Sequence, residues 1–285
     1  MFDISFFILG VAALLGITQG ISEWLPISSK TQIMLISSIL LGISFSEAYT
    51  LGLFLEVGTV IAAIVYFRRE IWKVLLAIVG KGDEEGWLLL KYLVVVTLIT
   101  AIIAVPIYLI ISNLVAGSSF GIPMLILGAL LIVDGLLVKY SKSRKTTAKK
   151  LEDLGLKDLF FLGIAQGISA LPGISRSGAT VSTLIFLKTK PDEAFRLSFF
   201  AGIPAVLGAS AVTLIFSHSS VTSAVNLITI PGILIAAVLA LIISLFLIRR
   251  LIKFAGTSRI TSVVFILGAI AMASGIISIL TGAAG

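Results

Sequence analysis

Cysteine is absent from this chain of 285 residues, and charge is scarce: only 12% of the residues are Asp, Glu, Lys or Arg. Without cysteine there is no disulfide framework, thiol chemistry or thiolate metal site. With so few charges and 58% hydrophobic residues, the chain has too much apolar surface for a soluble globule. The two-residue alternation of an outer-membrane barrel is also missing, because the apolar runs are long and continuous. Nor does the N-terminus carry a basic region followed by a small-residue cleavage site, so the first apolar run is expected to stay as structure. These exclusions leave an all-α, polytopic integral membrane protein. The net charge of +7 does not point to nucleic acid, because the basic residues lie in short loops beside apolar spans, where membrane orientation accounts for them.

Residues 4–21 form an apolar run, 22–29 break it around Pro26, and 30–42 form a second run of only 13 residues. At about 1.5 Å per residue the second piece reaches roughly 20 Å, short of the ~30 Å hydrocarbon core. The pair is therefore expected to enter, break at mid-depth and return. Spans are expected at 47–67, 87–112 with a kink at Pro106, and 121–138, and a short amphipathic piece should reach Val79. The second half follows the same plan: run, break and short run over 158–187, then spans at about 193–216, 225–248 and 261–282.

The two breaks are alike. G-I-T-Q-G-I-S-E-W-L-P-I-S-S-K at Gly16 to Lys30 matches G-I-A-Q-G-I-S-A-L-P-G-I-S-R-S at Gly163 to Ser177. Gln19 and Gln166, Ser22 and Ser169, and Ser28 and Ser175 are each 147 residues apart, and Glu47, Ala48, Leu51 and Phe54 match Glu193, Ala194, Leu197 and Phe200 at 146. We read one membrane domain over 1–285, with a first repeat at 1–138, a basic linker at 139–157 and a second repeat at 158–285. The basic loops (68–81, 139–157, 188–196 and 249–259) should be cytoplasmic, and the uncharged ones near 116 and 218 external. The halves then enter from opposite sides, an inverted-topology repeat whose two re-entrant broken hairpins meet at the midplane.

Glycine- or serine-rich turns that open a helix expose unpaired N–H groups and the positive end of the dipole, a general anion site. Arg176, between Ser175 and Ser177, adds a planar fork suited to phosphate oxygens, and an arginine at membrane depth is a functional residue by default. Two such turns face to face would grip a diphosphate. Glu23 stands where the second copy has Ala170, so the first break alone carries an acid, as a general base or as the ligand of a divalent cation. Structural roles explain other polar residues better: Glu56 and Asp134 have no motif around them and read as helix-packing or buried protonated groups, and Glu47 and Glu193 fall at helix starts. Arg176 also has a bland reading, as an ion pair with an acid such as Asp134. The only histidine, His218, is expected to be solvated in an outer loop, and Trp24 either packs or contacts a bound apolar chain.

Gln19-x-x-x-Glu23, Leu25 to Ser29 and P-G-I-S-R-S-G-A-T at Pro172 to Thr180 resemble the motifs of the undecaprenyl-diphosphate phosphatases of the bacitracin-resistance type, over nearly the whole chain. The resemblance implies hydrolysis of a polyprenyl diphosphate to the monophosphate, recycling the lipid carrier of envelope sugar assembly. It also implies a divalent cation such as Mg2+ or Ca2+ and a site open to the outer face of the plasma membrane. By position, Glu23, Ser29, Ser175, Arg176 and Thr180 would be catalytic. Ser28, Lys30, Gly173 and Ser177 would bind phosphate beside Arg176, Gln19, Gln32 and Gln166 would support them, and Glu23 would hold the metal. The nucleophile is open between water, Ser29 and Ser175. One departure is large: the family usually reads S-S-T-G-H after the first Leu-Pro, and this chain has Lys30-Thr31-Gln32, so no histidine base is present there. That marks a divergent branch, of archaeal type, whose carrier would be a dolichol-type lipid. Partners are then the lipid substrate and the membrane, with a homodimer admitted. The rival reading is a lipid-phosphate transporter or flippase using the same midplane anion site.

Overall fold

The computed structural model describes residues 4–115, 121–142 and 149–253, with scattered positions between 265 and 276. The run expected at 261–282 and the loop near 116 therefore lie largely outside the described residues.

Helix α1 (Ile4–Ser22) ends before Pro26, and α2 (Ser29–Leu41) begins after Ser28, whose φ of 54° turns the chain. Helix α2 stops at Gly42, where a φ of 64° lets the backbone N–H bond back to Ser38 O. Helix α3 (Phe45–Tyr66) opens with a capping box in which Ser44 and Glu47 satisfy each other's backbone N–H groups. This bears out the helix-start reading of Glu47. The amphipathic α4 (Arg68–Ile78) follows, then α5 (Glu84–Val115), which runs on through Pro106, and α6 (Gly121–Lys142).

The second half gives α7 (Leu156–Ile168), α8 (Arg176–Phe186), α9 (Pro191–Phe216) and α10 (His218–Lys253). The connection expected near 218 falls at Ser217 alone, and the start expected at 225 is corrected: α10 begins at His218 and breaks inside, at Thr229 (φ 68°, ψ 155°). Pro231 explains the break, because Gly232 N–H bonds Thr229 Oγ1 and Pro231 sits in the first turn of what is effectively a new helix. His218 is exposed.

Among the described residues, five helices are long and apolar enough to cross a membrane: α1, α3, α5, α9 and α10. Helices α2, α7 and α8 have 13, 13 and 11 residues, or about 16–20 Å, and are too short to cross. Burial sorts the spans. In α3, 72% of the span is buried, against 17% in α5 and 22% in α10, so α3 is the central post and the other two lie at the periphery. Packing partners exchange between the halves: α1 lies on α10 as α7 lies on α5, α2 on α3 as α8 on α9, and α3 on α9. Phe67 at the end of α3 meets Phe200 near the start of α9, and Arg196 lies 3.8 Å from Glu70. At the other end Tyr49 meets Tyr108, whose hydroxyl bonds Ser217 at 2.6 Å. Helices α3 and α9 therefore run antiparallel.

Candidate active site

The breaks between α1 and α2 and between α7 and α8 meet, and the second residue of each short helix reaches across to the other. Lys30 Nζ donates to Ser169 O at 3.1 Å, and Ser177 Oγ donates to Leu25 O at 3.0 Å. The first residues, Ser29 and Arg176, converge on one acid. Glu23 accepts from Arg176 Nη2 at 2.5 Å on Oε1, and from Ser29 Oγ at 2.7 Å and Gln19 Nε2 at 2.9 Å on Oε2. The ion pair is buried, with 10% of the Arg176 side chain and 4% of the Glu23 side chain exposed, so each charge depends on the other. The bland alternative, an ion pair of Arg176 with Asp134, is not what forms: Asp134 is fully buried with its carboxylate against Gly178 in the first turn of α8, and Glu23 holds the arginine.

Secondary contacts fix the guanidinium. Arg176 Nη1 donates to Ser198 O at 3.4 Å, and Thr180 Oγ1 lies 2.5 Å from Ser198 Oγ and donates to Arg176 O. Gly202 leaves the room: Arg176 Nη1 occupies the space that a Cβ at residue 202 would fill. Ser175 caps α8, accepting from Gly178 N at 3.2 Å, and its Oγ is within 3.1 Å of Ser177 Oγ. Gly173, at φ 98°, lets the turn press on Leu127.

Several expected residues stand back from this centre. Ser28 Oγ accepts from Thr31 within its own turn. Gln32 Nε2 bonds Ile27 O, so the residue at the histidine position serves the turn. Gln166 Nε2 bonds Thr100 Oγ1 at 3.1 Å. Trp24 packs edge-on to Phe199, 2% exposed, which is a packing role.

A cavity of about 820 Å³, its open mouth included, runs between α3, α5 and α9. Its polar end carries Lys30, Arg176, Gln166, Ser169 and Glu56; the remainder is Ala101, Ala104, Val105, Tyr108, Pro204, Ala205, Ala209 and Val212 among other apolar groups. Glu23, Ser29 and Ser175 do not border it. Glu56 is the site residue that the motif reading assigned to packing. A signal was present, because Tyr49, Leu53 and Glu56 all line the cavity at i, i+4 and i+7 on one helix face. Ser198, Thr100 and Tyr108 also lack sequence motifs.

The described side chains fit a divalent cation only in part. Both Glu23 oxygens are engaged, and among the described residues no three His, Asp or Glu side chains cluster as ligands.

An arginine and a lysine thus stand at the head of an apolar slot. Residues 12–274 match the family described as bacitracin resistance protein BacA. The chain is 49% identical over 269 residues to a protein of Saccharolobus solfataricus named undecaprenyl-diphosphatase, covering 94% of this chain and 96% of that one. Proteins of the same name from Sulfurisphaera tokodaii and Pyrobaculum aerophilum are 44% and 41% identical, covering 94% and 95% of this chain and 97% and 99% of theirs. With matches of this extent joined to the geometry of the two breaks, the chain belongs to the bacitracin resistance protein BacA family.

Proposed function

We propose that the protein hydrolyses a polyprenyl diphosphate, of undecaprenyl or dolichyl type, to the monophosphate and inorganic phosphate, recycling a lipid carrier for envelope glycan assembly. The observation that carries this reading is the cavity: two buried cations and the openings of two helices at one end, and an apolar trough for a prenyl chain along the rest. The diphosphate enters head first and competes with Glu23 for Arg176, while Lys30 turns from Ser169 O to a phosphate oxygen. Both cations then neutralise charge on the leaving monophosphate.

Water is the nucleophile this geometry favours. Ser29 Oγ is committed to Glu23 and Ser175 Oγ to the cap of α8, and neither borders the cavity. A divalent cation, Mg2+ or Ca2+, belongs to the same proposal: Glu23, once Arg176 turns to the phosphate, would help to hold it, and it would supply further charge neutralisation. The inverted topology and re-entrant hairpins are supported by the antiparallel α3 and α9 and by the three short helices. The cavity's apolar end approaches Tyr108 and Ser217, the end away from the basic segments around Arg68 and Arg196. This supports an opening to the outer face of the plasma membrane. A homodimer is compatible with this arrangement.

The test is phosphate release from C55 and dolichyl diphosphates by purified protein in detergent, with Mg2+, Ca2+ or chelator. Release on neither lipid, from folded protein that binds the diphosphate, moves the assignment to a lipid-phosphate carrier. An acid-stable phosphoserine in quenched reactions would replace water by serine.

A further inference from the structure

The hydrolysis just proposed needs a group to take the proton of the attacking water, and the position where the family usually has histidine holds Gln32, bonded to Ile27 O and absent from the cavity wall. Glu23 is poorly placed for the task, because three donors already occupy its oxygens outside the cavity. We propose that Glu56 is the general base. Its residue is 5% exposed and borders the cavity's polar end, and its carboxylate has no hydrogen-bond or ion-pair partner among the described residues. A buried carboxylate left without a partner is costly, so its place beside a polar reaction space calls for a use. Lys30 on α2, Arg176 on α8 and Glu23 in the first break act on it electrostatically, with Tyr49 on its own helix and Tyr108 on α5 close by.

The repeat supports the position. Glu56 corresponds to Gly202 at the 146-residue offset, and Gly202 is where the Arg176 guanidinium lodges. One copy of the unit thus presents a carboxylate to the cavity and the other makes room for the cation.

In the step, a water O–H bond breaks and its proton passes to a Glu56 oxygen as the water oxygen bonds to the terminal phosphorus. The bond from that phosphorus to the bridging oxygen breaks, its electron pair stays on the polyprenyl monophosphate, and Arg176 and Lys30 offset the charge. Glu56 later returns its proton to solvent.

The inference rests on the phosphatase reading, and the experiment separates the two. Wild type, Glu56→Gln and Glu56→Ala are compared for phosphate release and for binding of a non-hydrolysable prenyl methylenebisphosphonate. The expected result is that kcat falls by about 10²–10⁴-fold in both variants, that analogue binding stays within about threefold, and that added formate restores activity to Glu56→Ala alone. Retained binding shows that the variants fold. A wild type that binds the analogue but releases no phosphate overturns the phosphatase reading and the base with it. An active wild type with an equally active Glu56→Gln overturns the base alone, and so does loss of activity with lost binding or without formate rescue.

Discussion

The two breaks share a backbone plan and differ in what they carry. Each ends a helix, turns at Leu-Pro and opens a short helix after a serine, and those serines, Ser28 and Ser175, are 147 residues apart. The first break holds the acid Glu23 and the cation Lys30, the second holds Arg176, and Ala170 replaces the acid. Two helix openings thus face each other, with an acid in one break and a guanidinium in the other. A gripping site needs only the first of these, whereas chemistry on a bound diphosphate needs the asymmetry.

The largest test of the asymmetry removes it. Arg176→Ala should abolish phosphate release by on the order of 10³-fold or more, and Arg176→Lys should not restore it, because an ammonium lacks the fork that spans Glu23 and Ser198 O. Glu23→Gln should follow closely, since it leaves a buried arginine without its charge partner; phosphate release and thermal stability read both.

Next comes the room that the second copy makes. Gly202→Ala puts a methyl where Arg176 Nη1 lies, and an arginine moved by about 1 Å should cost roughly 10²-fold in kcat/KM. An unchanged rate there would show that the observed guanidinium position is not the working one. Restoring symmetry is a milder insult: Ala170→Glu adds a carboxylate to the wall of the phosphate end, which should raise KM by about 10-fold through like-charge repulsion with the diphosphate.

The caps give the smallest effects. Ser175 caps α8 through Gly178 N, so Ser175→Ala should cost about 1 kcal/mol of stability. Ser28 makes no side-chain cap bond and sits at φ 54°, so in Ser28→Gly the relieved backbone strain offsets the lost acceptor of Thr31, and the net cost should stay below about 1 kcal/mol. Thermal unfolding in one detergent compares them.

Much of the fold was legible because membrane helices announce themselves by length and apolarity. The run at 30–42 and α2, or 193–216 and α9, differ by a residue or two. The start of α10 was missed because His218 to Ile228 is mixed in polarity, and Pro231 hid a helix on each side of Thr229. In the site, motif residues that bond within or between the breaks were found. Glu56 was not, since it lies in an ordinary apolar span with no neighbouring motif; only the helical register with Tyr49 and Leu53 places it.

By itself, then, the sequence determined the membrane class, the internal repetition, the two polar breaks and the chemical kinds gathered in them, because hydropathy, helix length and motif spacing are local properties. Tertiary structure alone decided that Arg176 pairs with Glu23, 153 residues away, and not with Asp134. It also turned Gln32 off the cavity and Glu56 into it. Those choices depend on the rotation of α2, α3 and α8 about their axes as they pack, and a helix's rotation is set by every neighbour it touches, not by the stretch of sequence that forms it.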